Sequence, residues 1–265
     1  MESKVILITG ASSGIGKATA SYFVSKGHKV YGVARKDFDV AGVNAVLGDV
    51  TQVDAVKSIV DYVIKKEGKI DVLINNAGFG IAGAIETTDI EDAKKQFDVN
   101  FFGAVNMAQA VLPYMRKARQ GKIINTSSIA SEIAIPFQAF YSASKAALDN
   151  WSKALRLEVK DFGIKVSNIL PGDIKTGFTA SREKKVDKNS PYYEKETKSI
   201  SKMELDEQNG MPPIKVAKKI HSLAMRKNPP YLTTVGFAYR AIRVLKKVLP
   251  TRFVMWVVSK LYVKK

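Results

Sequence analysis

The stretch KVILITGASSGIG, residues 4–16, decides how the rest of the chain is read. "VILIT" is a short apolar run without polar alternation, the pattern of a strand buried on both faces. Gly10, Gly14 and Gly16 follow it, where a chain turning from strand to helix lets its backbone approach an anion. A helix beginning near Ile15 offers free N–H groups and a positive dipole end to a diphosphate. The spacing is G-x-x-x-G-x-G, not the G-x-G-x-x-G of the best-known dinucleotide fingerprint. Alone it also fits an ordinary Gly–Ser turn before a helix.

Outward from that turn, apolar strands alternate with helices. Ile15 to Lys26 reads as a helix, "HKVYGVA" as a second strand and "NAVLGDV" as a third. Only Arg35 to about Asn44 joins those two strands, which leaves room for at most one helical turn. Val53 to Lys66 is amphipathic, with Val56, Ile59, Val60 and Val63 on one face. "KIDVLINNAG" is the fourth strand, Ile90 to Arg116 a long helical stretch and "GKIINTSS" the fifth strand. A helix through Tyr141 runs to about Phe162, and "IKVSNILPG" is the sixth strand. "PPIKVAKKIHSLAMRK" is a helix with Pro at its start, and "PYLTTVG" a last strand. The expected fold is α/β, a doubly wound parallel sheet of the Rossmann type with about seven strands and helices on both faces, forming one domain over 1–265. The polar stretch 173–210 follows a strand end where such folds bind ligands. It reads as a substrate lid, or more plainly as a surface excursion.

Composition narrows the function classes. The chain has 265 residues, 46% of them hydrophobic, and no Cys, which excludes disulfides and thiolate zinc sites. His28 and His221 match no metal-ligand spacing, so no metal is expected. Lys4 leads straight into "VILIT", too short for a signal peptide, and no apolar run reaches membrane-spanning length. A cytoplasmic location is expected. The net charge is +17, yet the last 58 residues hold 13 Lys and Arg and no acid, so only +4 belongs to the first 207.

Several residue groups fall at carboxyl ends of the expected strands, the edge where such sheets bind ligands. Asp49 and Val50 end the third strand, where a carboxylate can take an adenine amino group. Asn76, Ala77 and Gly78 of "NNAG" end the fourth, with Asn75 reading as a tie between strand backbones. Ser127 and Ser128 end the fifth. Pro171, Gly172, Ile174 and Thr176 of "PGDIKT" end the sixth. With Gly10, Ser12, Ser13, Gly14, Ile15 and Gly16, these are the candidate cofactor contacts. Tyr141 and Lys145 share a helix face at i, i+4. Taken alone they fit a solvated surface pair.

Together these motifs make the chain resemble the short-chain dehydrogenase/reductases. "TGASSGIG", "NNAG", Val99–Asn100, Ser–Tyr–x–x–x–Lys and "PGxxxT" stand in the family's order over about Lys4 to Thr176. The resemblance implies nicotinamide-dependent interconversion of an alcohol and a carbonyl. It implies Ser128, thirteen positions before Tyr141, as the catalytic serine, and Asn100 as holder of a water linking Lys145 to solvent. A free Tyr has a pKa of about 10. A nearby ammonium and an oxidised nicotinamide ring both favour the phenolate. Tyr141 is thus the expected general acid/base, with Lys145 lowering its pKa and binding the nicotinamide ribose, to which Tyr141 also lies close.

The second strand ends "VARK". Arg35 and Lys36 attract a 2′-phosphate, with Lys17 adding charge, so NADP(H) is favoured over NAD(H). Asp37 keeps the alternative open. The extension 236–265 reads as a basic amphipathic helix, with Ala241, Val244, Leu245 and Val248 on one side and Arg240, Arg243 and Lys247 on the other. Pro250 ends it. An apolar segment with Trp256 and terminal Lys260, Lys264 and Lys265 follows. It suits an anionic membrane interface on the cytoplasmic face, or else packs on the body. No nucleic-acid module is present, and none is expected as partner. The tail resembles those of family members acting on steroids, retinoids or acylated lipids, so a lipophilic alcohol or ketone is the expected substrate. A 3-oxoacyl reductase and a non-catalytic NADP(H) sensor are the alternatives. The family's habit of pairing through its fourth and fifth helices implies a homodimer or homotetramer.

Overall fold

A computed structural model describes residues 2–263. Its first half alternates strand and helix: β1 (Val5–Thr9), α1 (Gly14–Val24), β2 (Lys29–Ala34), β3 (Val43–Leu47), α2 (Val53–Glu67) and β4 (Val72–Asn75). A two-residue strand β5 (Ile81–Ala82), α3 (Ile90–Phe97), α4 (Gly103–Lys117), β6 (Gly121–Thr126), α5 (Ala139–Glu158) and β7 (Ile164–Pro171) follow. Then come α6 (Phe178–Ser181), β8 (Glu183–Lys184), α7 (Tyr193–Gln208), α8 (Pro213–Met225), β9 (Leu232–Val235), α9 (Phe237–Val248) and α10 (Thr251–Tyr262).

Seven strands form one parallel sheet in the order β3-β2-β1-β4-β6-β7-β9. The order reverses between β1 and β4, which makes the gap above their carboxyl ends the natural ligand crevice. The central strands are apolar because both faces are covered. On one face Val56, Ile59, Val63, Met107, Val111 and Leu155 pack from α2, α4 and α5. On the other, Ala20, Phe23, Val216, Ile220 and Leu223 pack from α1 and α8. The expected doubly wound fold is what forms.

Three details differ from the sequence reading. The helix expected over 15–26 spans Gly14–Val24, while the link from β2 to β3, expected to hold at most one helical turn, holds none. The long helical stretch 90–116 is interrupted by one π-helical turn, Asp98–Phe102, which carries Asn100. Such turns shift side chains out of helical phase and cluster at functional sites. The segment 173–210 is no loose excursion. β8 pairs with β5, and α7 buries Ile200 and Met203 against Ala82. Glu196 of α7, fully buried, accepts a 2.6 Å bond from the Ala84 amide.

At the C-terminus, α9 and α10 meet at Pro250, as expected. Lys264 and Lys265 lie outside the described residues. Among the described residues, no helix is long and apolar enough to cross a membrane.

Candidate active site

The turn after β1 is held from the next strand. The Thr9 hydroxyl accepts the Asn76 and Ala77 amides, both at 3.0 Å, and the Asn76 side chain donates to the Thr9 and Gly10 carbonyls at 3.1 and 3.3 Å. Gly10 and Gly14 have φ of +67° and +53°, a conformation that L side chains resist. A Cβ on Gly16 would run into the Gly10 carbonyl, so Gly16 serves close packing of the turn and does not reach the cavity. No side chain caps α1 at Ser13, which leaves its first N–H groups for an anion.

A cavity of 600 Å³ runs from this turn across the strand ends. Gly10, Ser12, Ser13, Gly14 and Ile15 line one end, with Arg35, Asp49 and Val50 beside them. Asn76, Ala77 and Gly78 form the floor, and Ser128, Tyr141, Lys145, Pro171, Gly172, Ile174 and Thr176 the far end. Lys17 and Lys36 are exposed and do not line it, so the expected pair of cations narrows to Arg35. Asp37 is also outside; its carboxylate accepts the Phe38 amide at 2.9 Å. The Asp49 carboxylate is partly engaged by the Thr51 amide and hydroxyl, both at 2.9 Å. A glycine cradle at a helix N-terminus, opening into a long cavity at the switch point, fits a nicotinamide dinucleotide.

The reactive end is built on α5 and the turn after β6. Ser128 caps the turn Ile129–Ser131, its hydroxyl accepting the Ala130 amide at 3.1 Å, and it hydrogen-bonds the Tyr141 side chain. One helical turn on, Lys145 is buried, with its ammonium 5.8 Å from the Tyr141 ring centre and donating to the Thr126 carbonyl at 2.9 Å. Asn100 is buried and clamps the loop after β4 to α5. Its carbonyl accepts the Phe79 amide, and its NH₂ donates to the Phe79 carbonyl (3.0 Å) and the Ser144 hydroxyl (3.2 Å). Ser127 is buried beside the Lys145 carbonyl, a strand-end residue as expected.

The electrostatics depart from the sequence reading. Burial pushes the Tyr141 phenol up to about 12; the Ser128 bond opposes this, Glu207 adds to it and Arg182 counters it. Lys145 is itself lowered to about 8 by burial, against the field of Asp149. Desolvation disfavours any charged form, so both groups move toward neutrality.

Two sets of residues escaped the sequence in whole or in part. Asn75, read as a tie between strands, has Asn125 and Asn168, which the sequence reading does not single out, as register partners on β6 and β7. Their side chains link across the sheet: Asn75 donates to Asn125 (2.9 Å), Asn125 to Asn168 (3.2 Å), and Asn168 to Asp149 (2.6 Å). Asp149 also takes the Ser131 hydroxyl, tying the turn after Ser128 to α5. The signal was present: three strands each carry a lone Asn near the carboxyl end. The second set is the cavity wall facing Tyr141: Phe79, Ile135, Phe178, Met203, Glu207 and Tyr262. These come from loops, the segment 173–210 and the tail, and no motif marks them. The tail also closes over the "PG" turn. The Tyr239 ring occupies the space a Cβ on Gly172 would need, and its hydroxyl donates to Asp173.

Fold and site together define a dinucleotide-binding oxidoreductase. The short chain dehydrogenase family model matches residues 4–187, and the chain belongs to that family. It is 48% identical over 239 residues, covering 89% of both chains, to a 3-ketodihydrosphingosine reductase of Bacteroides thetaiotaomicron. A short-chain dehydrogenase structure from Streptomyces avermitilis superposes with a TM-score of 0.84 at 29% identity, covering 93% of this chain and 94% of that one. An NADP complex from Burkholderia cenocepacia (26% identity, TM-score 0.75, 96% of each chain) shares the fold. An NAD complex from Burkholderia phymatum does too (24%, TM-score 0.80, 93% and 94%).

Proposed function

We propose that this chain reduces a long-chain lipophilic ketone to its alcohol with NADPH. One observation supports this above the rest: Tyr141, bonded to Ser128 and beside Lys145, faces a cavity whose other wall carries Phe79, Ile135, Phe178, Met203 and Tyr262 beside Glu207. NADPH, when bound, supplies the hydride. The Tyr141 hydroxyl gives its proton to the substrate oxygen as hydride reaches the carbonyl carbon. A phenol held protonated at neutral pH is the form a reduction requires. Ser128 donates a hydrogen bond to the same oxygen. Lys145 binds the nicotinamide ribose and returns a proton to Tyr141, while Asn100 holds the α5 end of the site in place. The turn from Gly10 to Ile15 holds the diphosphate, Asp49 and Val50 the adenine, and Asn76 to Gly78 and Pro171 to Thr176 the stretch between. Arg35 alone meets the 2′-phosphate.

The relative's substrate, 3-ketodihydrosphingosine, agrees with Phe79, Ile135, Phe178, Met203 and Tyr262 around the reacting end, and favours a lipid ketone over a steroid or retinoid. The segment 173–210 acts as a structured wall that opens for substrate. The tail places the protein on an anionic membrane surface. Pairing of two copies runs through α4 and α5, where Tyr114 and Leu157 are exposed.

The test is NADPH oxidation with 3-ketodihydrosphingosine, a short soluble ketone and a 3-oxoacyl thioester. Wild type turns over the first fastest. Tyr141→Phe stays folded, binds cofactor and loses about 10²–10⁴-fold in kcat. Arg35→Ser raises the KM for NADPH and leaves that for NADH alone. Undiminished turnover by Tyr141→Phe would remove Tyr141 as the acid, and preference for the thioester would move the substrate class.

A further inference from the structure

Helix α9 is packed the opposite way round from an ordinary surface helix. Tyr239, Arg243 and Lys246, at i, i+4 and i+7, turn toward the body. Arg243 pairs with Glu132 at 2.8 Å, and Lys246 donates to the Glu132 carbonyl. The apolar stripe faces outward: Phe237 is 87% exposed, Val248 76%, Val244 64% and Leu245 51%. On α10, Phe253, Met255, Trp256 and Leu261 are exposed as well. Nine of the nineteen exposed large apolar side chains among the described residues lie on these two helices, which is a concentration and not the usual scatter.

Beside that stripe lies a cleft of 340 Å³ between α8, the free edge of β9 and α9. Lys219 and Arg226 enter it from α8, Arg240, Arg243 and Lys247 from α9. The side chains of Lys219, Arg226 and Lys247 have no hydrogen-bond or ion-pair partner among the described residues. Thr234, also in the wall, has a buried hydroxyl without a partner. Among the described residues, no carboxylate lines the cleft. Unpaired cations crowded together repel one another, and an anion relieves that.

We infer that this cleft binds the phosphate of an anionic phospholipid headgroup while the outward stripe of α9 and α10 sits among the acyl chains; the inference rests on the membrane reading above. Val244 and Lys247 share the cleft wall, so its cations adjoin apolar surface. A free anion has no use for that neighbour, and a lipid has use for both. A second copy meeting the same face would set cation against cation. Tyr262, on the inner side of α10, lines the substrate cavity, so a docked hairpin brings the cavity wall to the lipid surface.

The test uses the full chain with phosphatidylglycerol-rich and pure phosphatidylcholine vesicles. Wild type binds the first and not the second. Lys219→Gln/Arg226→Gln/Lys247→Gln loses about a hundredfold in partition, at about fivefold per cation near the surface. The equally charged change Lys57→Gln/Lys65→Gln/Lys66→Gln on α2 loses about threefold or less. Equal losses in both triples would mean diffuse attraction and overturn the cleft. So would binding of inorganic phosphate in the cleft without any preference for anionic vesicles. Leu245→Ser/Val248→Ser/Trp256→Ser, none of which lines the cleft, keeps the cleft and loses partition; unchanged partition there overturns the docking geometry. Reduction of a short soluble ketone is measured on the same samples. A chain that binds anionic vesicles through the cleft but reduces no ketone breaks the reductase reading and supports the cleft. The reverse result breaks the cleft alone.

Discussion

Helices α2 and α9 carry the same kind of sequence and end in opposite orientations. Each has one apolar stripe and several lysines or arginines. In α2, Val56, Ile59, Val60 and Val63 are buried on β1 and α4, and the lysines face water. In α9 the apolar stripe faces water, while Tyr239, Arg243 and Lys246 are held by Asp173 and Glu132. Periodicity announces that a helix has two faces. Which one turns inward depends on what the rest of the fold offers at that place. The sheet offered α2 an apolar plane. The strand-end loops offered α9 a glycine, a carboxylate and a carbonyl.

The sharpest way to break this comparison is to place the same charge on both stripes. Val60→Asp buries an unpaired carboxylate and destabilises by more than about 3 kcal/mol. Val248→Asp, on the outward stripe, stays within about 0.5 kcal/mol. Chemical denaturation of the two variants reads the difference, and similar losses would mean that α9 packs apolar side inward in solution. Next in size is Gly172→Ala. Its methyl meets the Tyr239 ring, and crowding of this kind costs about 1–3 kcal/mol. Tyr239→Ala in the same chain restores most of the loss if that contact is the cause.

A third prediction concerns the reactive end. Lys145 titrates at about 8. Its ammonium is present below that pH, so kcat/KM for reduction falls as pH rises through about 8, and Lys145→Arg moves that limb upward. The stability sign runs the other way. The folded value lies below the unfolded 10.5, so the unfolded chain binds more protons between the two. Lys145 therefore adds stability as pH climbs from about 8 to 10.5, and Lys145→Met flattens that rise in urea midpoints. The smallest effect is at the tail clasp. Arg243 and Glu132 are each 23% exposed in their side chains, so Glu132→Gln costs about 0.2–1 kcal/mol. Amide exchange should quicken in α9 and leave α2 unchanged. Protection unchanged in both helices would show that Glu132 does not hold the tail.

Most of the sheet was legible because its signals are local. "VILIT" and "VLIN" are strands by their own composition, and the glycine turn needs only its neighbours. The site was legible at its cofactor edge for the same reason: Gly10 to Ile15, Asn76 to Gly78 and Pro171 to Thr176 sit at strand ends. Less was legible where partners are far apart in sequence. The Asn75–Asn125–Asn168 ladder spans three strands, and Lys36, adjacent to Arg35, reads equally well on paper yet lies outside the cavity.

The sequence alone thus determined the alternation of the seven sheet strands with their flanking helices and the doubly wound sheet, and its motifs singled out Tyr141 and Lys145, with Ser128 chosen by the family resemblance. Backbone preference and hydrophobic period act over a few residues, so they survive in the linear text. Tertiary structure decided the rest. Whether Tyr141 rises or falls in pKa depends on how deeply it is desolvated and on Glu207 and Arg182. Which face of α9 meets solvent depends on Glu132, more than a hundred residues earlier. Desolvation and long-range pairing are properties of the packed molecule, and no stretch of the chain contains them.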